Sequence, residues 1–238
     1  MKIFFISIFP EIFDSFLGAS LIKKAQEKWI LDFEIVNPRN FCKDKHKKID
    51  DEIYGWWAGM LMIAQSMIDA VNFIIEKIQK NASLGWSWNA KLVGDSFQIV
   101  FPSPSQNIWN QELAHSFSKN DNLIFVCGRY EWIDHRFVQY FQEKYPENFY
   151  KISIWKFITL GGELPTMTMV ESIVRLIPWV IKEEMSWQEE SYSPLKNMEN
   201  IEYPQYTRPQ EVEWYNVPEV LLNWNHKEIE NWKQQNSQ

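Results

Sequence analysis

Cysteine is nearly missing from this chain of 238 residues, which has two, Cys42 and Cys127. They lie far apart and fit no metal spacing, so a disulfide-built scaffold is excluded, no metal site is expected, and a reduced, cytoplasmic protein is the expectation. Positive charge is short as well: 24 Lys and Arg stand against 31 Asp and Glu, a net charge of −7. That argues against gripping nucleic acid by bulk charge but leaves room for a local basic patch. Long apolar runs are missing too. Ile3 to Phe9, behind Lys2, could pass for a targeting signal, but Pro10-Glu11 closes it before it could span a bilayer, and no small-residue cleavage site follows. It reads as a buried first strand, and no membrane partner is expected. Glycine is scarce, with 8 against 13 tryptophans, so the few places where backbone can approach a ligand closely stand out.

The stretch from Phe125 to Arg136 is one of them. Leu123 to Val126 reads as a buried parallel strand, Cys127-Gly128 as the turn after it, and Arg129, Tyr130, Glu131, Asp134 and Arg136 as a charged cluster leading into a helix-like segment. Open α/β folds bind ligands at the carboxyl ends of their strands; an ordinary loop with solvated charges is the competing reading. Around it, a strand from Lys2 to Phe9, a helical pattern from Glu11 to Glu27 and a strand from Leu31 to Asn37 make a βαβ opening, so an α/β fold with a mostly parallel sheet is expected. Further on come a helix from about Gln65 to Lys80, a polar insertion at 81–95, a strand from Phe97 to Phe101 and a helix from Asn110 to Phe117. An apolar strand from Ile152 to Phe157 then leads to Gly161-Gly162, whose amides suit a ligand.

Three features read two ways. Arg39, Lys43, Lys45, His46, Lys47 and Lys48 form a basic stretch that is either a solvated loop or a contact for RNA phosphates. Arg175, on an apolar helix from Thr166 to Ile177, is either a structural ion pair or an electrophilic site group. The acidic, aperiodic stretch 182–203 looks like a linker between a large domain, 1–181, and a piece from 204 to 238 too small to hold a core alone.

At this point several motifs coincide. Cys127-Gly128-Arg129-Tyr130-Glu131, Leu160-Gly161-Gly162-Glu163-Leu164-Pro165, Asp50-Asp51 with Tyr54-Gly55 and Gly59-Met60-Leu61-Met62, and Tyr206-Thr207-Arg208-Pro209 resemble the bacterial tRNA (guanine-N1)-methyltransferases, the TrmD family of the SPOUT superfamily. Ser7-Ile8-Phe9-Pro10-Glu11 and Pro218-Glu219-Val220-Leu221-Leu222 fit the same register, which runs from residue 1 to about 235.

The resemblance implies a SPOUT-type domain with a C-terminal trefoil knot, followed by a small helical domain that contacts tRNA. It implies a homodimer that methylates ring nitrogen 1 of the guanosine just 3′ of the anticodon, with S-adenosyl-L-methionine as cofactor and Mg2+ as an optional addition. Carried over by position, the cofactor-binding residues are Phe101, Pro102, Ser103, Pro104, Gly128, Tyr130, Trp132, Ile154, Trp155, Phe157, Thr159, Gly161, Gly162 and Pro165. Glu131 and Arg175 fall on guanine-recognition and catalytic positions. Glu190 stands where the family has an aspartate as general base, and Arg208 joins the basic stretch as an RNA contact. The chain departs from the family pattern at Glu52-Ile53, Ala58, Ser105-Gln106 and Lys156. The rival readings are a non-catalytic knotted RNA-binding relative and a ribosomal RNA methyltransferase.

In the same register Trp29, Trp56, Trp57, Trp132, Trp155, Trp179, Trp214 and Trp224 all fall where glycine is expected, whereas Trp232 sits at a tryptophan position. The bias runs one way. The expectation is a stop codon that the source reads as glycine and that has been translated here as tryptophan. Counting those positions as glycine brings glycine close to its usual share of ~7%. The alternative is a true tryptophan-rich sequence, with indoles where backbone should meet the cofactor.

Overall fold

The computed structural model describes residues 1–55, 58–83, 96–181, 190–193 and 200–237. The chain divides into two compact units, Met1–Lys182 and Glu183–Gln238.

The first unit is built on a five-stranded sheet of β1 (Lys2–Ile6), β2 (Asp32–Val36), β5 (Phe97–Pro102), β6 (Asn122–Val126) and β8 (Phe149–Ile152), in the order β2-β1-β6-β5-β8. Every pairing in it is parallel. Ile3-Phe4-Phe5-Ile6 and Leu123-Ile124-Phe125-Val126 are fully or almost fully buried, as continuous apolar strands of a sheet covered on both faces must be. Their side chains alternate between two cores. Phe4, Ile6, Ile124 and Val126 pack with α3 (Ala64–Ser83) and α5 (His135–Lys144) on one face. Ile3, Phe5, Leu123 and Phe125 pack with α4 (Gln111–Phe117) and α6 (Glu163–Val174) on the other. A smaller sheet joins β3 (Asp50–Glu52) antiparallel to β4 (Met60–Met62), and β4 parallel to β7 (Trp132–Ile133).

Several sequence expectations are corrected. The strand expected over Ile152 to Phe157 ends at Ile152, and the apolar residues beyond it form an irregular loop with Trp155 and Phe157 exposed. The helix expected from Glu11 to Glu27 is three pieces: a 3-10 turn at Pro10–Phe13, α1 (Asp14–Leu17) and α2 (Ser20–Glu27). Gly18 caps α1 and interrupts the run, so 3.6-residue periodicity persisted across a break. Helix α6 begins three residues earlier than expected, because Pro165 sits in the first turn, where a missing N–H costs nothing, and the Thr166 N–H opens the ladder to the Gly162 carbonyl at 2.9 Å. Most of the expected insertion at 81–95, and the Trp56-Trp57 pair, lie outside the described residues.

In the second unit, β9 (Glu211–Val212) and β10 (Tyr215–Asn216) form an antiparallel hairpin, followed by α7 (Glu219–Leu222) and α8 (His226–Asn236). Trp232 lies against Tyr203 and Tyr206, at ring-centroid distances of 6.1 and 6.3 Å, and Lys233 sits 5.0 Å over the Tyr203 ring.

Candidate active site

The carboxyl ends of β5, β6 and β8 each run into a loop, and the three loops enclose a cavity of about 330 Å3. Phe101, Pro102, Ser103 and Pro104 come from the first loop; Gly128, Arg129, Tyr130, Glu131, Trp132 and Ile133 from the second; Ser153, Ile154, Phe157, Ile158, Thr159, Leu160, Gly161, Gly162 and Pro165 from the third. Every expected cofactor residue except Trp155 lines this cavity; Trp155 is on the same loop and faces solvent. Ile133 and Ser153 line it unexpectedly, whereas Arg129, Ile158 and Leu160 lie within the expected stretches without having been singled out as contacts. Arg129 carried a signal, as an arginine wedged between the turn glycine and Glu131.

Tight packing explains the glycines. A Cβ on Gly162 would lie 2.9 Å from Cys127 Cα and 3.0 Å from the Gly128 nitrogen, so only glycine lets the second and third loops touch. The Gly162 N–H donates to the Gly128 carbonyl at 2.9 Å, and Cys127 Sγ lies 3.3 Å from Thr166 Oγ1. Burial pushes the Cys127 thiol far above its ordinary range, so it is a packing group and no nucleophile. Gly59, at φ +104°, has no room for a Cβ because Glu131 Cγ occupies that space.

Tyr130 and Glu131 stand on the rim. The Glu131 N–H donates to the Met60 carbonyl at 3.1 Å, which fixes its backbone to β4. Tyr130 is held at φ +59°, a left-handed conformation that is costly for a tyrosine and of the kind found at ligand sites. Ser103 Oγ is buried in the cavity wall and has no hydrogen-bond partner among the described residues. A polar atom so placed calls for a ligand partner. A second cavity of about 290 Å3 shares Phe101, Trp132 and Ile133 with the first, and Lys151 Nζ lies 5.6 Å over the Trp132 ring.

The remaining candidates are elsewhere. Arg175 is the C-cap of α6, half-buried and just beyond the helix that sequence reasoning placed it on. Glu190 belongs to the second unit, where the Ser193 N–H donates to its carbonyl at 3.3 Å; Glu189 lies outside the described residues. Lys43, Lys45, His46, Lys47 and Lys48 are all exposed on one loop. Asp44 shapes it by accepting the N–H groups of His46 and Lys48 at 2.9 Å each, and these bonds, that from Lys48 foremost, hold its carboxyl below the usual range. Arg39 donates to the Lys47 carbonyl at 3.2 Å, and Lys48 pairs with Asp51 at 2.7 Å. Arg208 is exposed in the second unit before Pro209.

These placements accompany a match along the whole chain. A family model described as tRNA (Guanine-1)-methyltransferase TrmD matches residues 1–238. A relative from Clostridioides difficile (strain 630), named tRNA (guanine-N(1)-)-methyltransferase, is 37% identical over 237 residues, covering 100% of this chain and 92% of the relative. Relatives of the same name from Clostridium perfringens (strain SM101 / Type A) and Bacillus pumilus (strain SAFR-032) are 39% and 37% identical over the same length, covering 100% of this chain and 88% and 87% of their own. The three-loop cavity thus occurs in a chain that belongs to the tRNA (guanine-1)-methyltransferase family, TrmD.

Proposed function

We propose that the protein methylates ring nitrogen 1 of the guanosine just 3′ of a tRNA anticodon, with S-adenosyl-L-methionine as the methyl donor. The observation that carries this reading is the three-loop cavity at the carboxyl ends of a parallel sheet, with Glu131 on its rim, in a chain that matches the family throughout. The cofactor fits the site on two counts. Gly161 and Gly162 let the third loop pack directly against the second, which closes the cavity wall around a space lined by loop backbone and apolar side chains, and Ser103 Oγ supplies a buried polar atom in want of a partner. When bound, the sulfonium supplies an electrophilic methyl group and its own leaving group.

The chain's residues supply the rest. Nitrogen 1 of guanine carries a proton at neutral pH, so a carboxylate must accept it; Glu190 takes that role, one methylene longer than the aspartate it replaces. Charge develops on the guanine carbonyl oxygen, and Arg175 offers a guanidinium to stabilise it there. Glu131, anchored to Met60, recognises the guanine edge. Lys43, Lys45, His46, Lys47 and Lys48, with Arg39 and Arg208, bind the RNA backbone. Domains of 1–181 and 204–238 flank a linker at 182–203 that carries the base. In this reading the large domain is tied in a trefoil knot, and the protein works as a homodimer in which each linker serves the partner's cavity. Mg2+ is an addition that no step uses; among the described residues no cluster of three His, Cys, Asp or Glu is placed to hold a metal. The setting is cytoplasmic. Among the described residues no helix is long and apolar enough to cross a membrane.

The test is methyl transfer from labelled S-adenosyl-L-methionine to unmodified tRNA bearing guanosine or adenosine at the target position, beside ribosomal RNA. Transfer to the guanosine tRNA alone is expected. Transfer to ribosomal RNA, or tight tRNA binding with no transfer at all, would replace this reading with one of its rivals.

A further inference from the structure

Glu163 is the first residue of α6, 1% exposed, and takes no part in the proposed chemistry. Burying a carboxylate costs several kcal/mol unless partners compensate it. Its partners come from two distant segments. Ser7 Oγ, at the end of β1, donates to Glu163 Oε1 at 2.8 Å and accepts the Phe9 N–H at 3.1 Å. Arg129 Nε lies 2.8 Å from Glu163 Oε2, with its N–H pointing off the line of a hydrogen bond, so the contact is one of opposite charges. The Arg129 guanidinium stacks 4.9 Å from the centroid of the Phe9 ring. A Cβ on Gly161 would strike both Arg129 Nε and Glu163 Oε2, so the ion pair fills the notch that glycine leaves in the third loop.

The pair sits immediately before the strained part of the rim. Arg129 is anchored on one side by Glu163 and by its own N–H to Met62 Sδ at 3.2 Å, and Glu131 on the other by Met60. Tyr130, between the two anchors, holds its left-handed conformation. A conformation of that cost persists only where the surroundings over-determine it. Were Arg129 released, Tyr130 could relax and Glu131 would lose its place over the cavity.

We propose that Glu163, keyed by Ser7, is a positioning residue that acts through Arg129 to hold the Arg129–Glu131 rim in its ligand-ready conformation, and so sets the affinity for the methyl donor. This rests on the function proposed above. Its role is indirect: Glu163 is not part of the cavity lining, whereas Arg129 and Gly161, which it packs against, are.

The test compares the full-length wild type with Glu163→Gln, Arg129→Gln and the double variant. Titration with S-adenosyl-L-methionine gives the affinity, and hydrogen exchange without ligand reads the amides of 129–131. Each single variant should weaken binding on the order of tenfold or more and speed exchange at 129–131 by a similar factor, with the amides of β1 and β6 unchanged. The double variant should be no worse than the worse single, since the two side chains act as one unit. Arg129→Gln, altering a residue nearer solvent, carries the test if Glu163→Gln fails to fold. A wild type that binds the cofactor, with variants within twofold of it in affinity, overturns the proposal, whether or not exchange changes. A wild type that binds no cofactor instead overturns the function it rests on, and the two failures are thereby told apart.

Discussion

The two compact units of this chain hold themselves together in different ways. The first buries both faces of a parallel sheet, and among the described residues its six largest fully buried side chains are phenylalanines. In the second, no residue from 200 to 237 is buried, and its order rests on a short hairpin, two helices and a cluster of Tyr203, Tyr206, Trp232 and Lys233. A stretch as short as 200–237 usually needs help from outside itself to stay folded. The lesson is that the first unit owns its structure, and its site can be read from packing. In the proposed reading the second draws both its stability and its purpose from what it meets.

The sharpest way to break this contrast is at Glu190, in the second unit. Loss of a general base costs ~10²- to 10⁴-fold in rate. Glu190→Gln should therefore lower single-turnover methyl transfer by that order while leaving the unfolding midpoint unchanged, and Glu189→Gln should alter neither quantity. Glu190→Asp should match or exceed the starting rate, since a carboxylate misplaced by about 1 Å can cost on the order of a hundredfold. Full activity in Glu190→Gln would remove the second unit's carboxylate from the mechanism.

A smaller effect compares the basic residues of the two units. Lys43→Ala, Lys45→Ala and Lys47→Ala together remove three exposed cations from the first unit. If each meets a phosphate, the slope of log affinity for tRNA against log salt should shrink by about 2 to 3, and for Arg208→Ala in the second unit by about 1. Lys48 is left in place because Asp51 already holds it at 2.7 Å. Filter binding across a salt series reads both, and an unchanged slope in the triple variant would return the loop to its bland reading as solvated surface.

How much of this was legible beforehand follows the same division. Apolar runs marked the strands of the first unit because a doubly covered sheet leaves them no polar face, and the rare glycines marked the loops because close approach needs them. The loop from Ile154 to Phe157 reads as strand in the sequence because an apolar run carries no sign of whether a neighbouring strand exists to pair with it. The link from Ser7 to Glu163 spans 156 residues, and no local pattern encodes such a contact. In the second unit, the sequence says that the piece from 204 to 238 is too small to hold a core alone, but says nothing of what its exposed aromatics face.

The smallest effect concerns tryptophan, and here again the units should differ. Trp29 follows α2 at φ +59° and is 82% exposed. Its N–H bonds to the Gln26 carbonyl and that of Ile30 to the Ala25 carbonyl, both at 2.9 Å. Those are the two bonds of a Schellman helix end, whose left-handed position is ordinarily glycine. Trp179, at φ +72°, follows Pro178 in a turn closed by the Val180 N–H to the Ile177 carbonyl at 3.2 Å. Proline second and a positive φ third is the pattern of a type II turn, which also calls for glycine. Both turns call for glycine on backbone geometry alone, independently of the family register, and glycine is the residue that the proposed stop-codon reassignment would restore. Left-handed backbone costs an ordinary residue ~1–2 kcal/mol, and glycine's freedom in the unfolded chain offsets ~0.4–1 kcal/mol of any gain. Trp29→Gly and Trp179→Gly should each stabilise the protein by roughly 0.5–1 kcal/mol in urea unfolding. Trp214 and Trp224, exposed in the second unit and outside the left-handed region, should change stability by less than ~0.5 kcal/mol as glycines. Mass spectrometry of the protein from its native source decides the codon question directly: peptides spanning 54–60 with the mass of two tryptophans would end it.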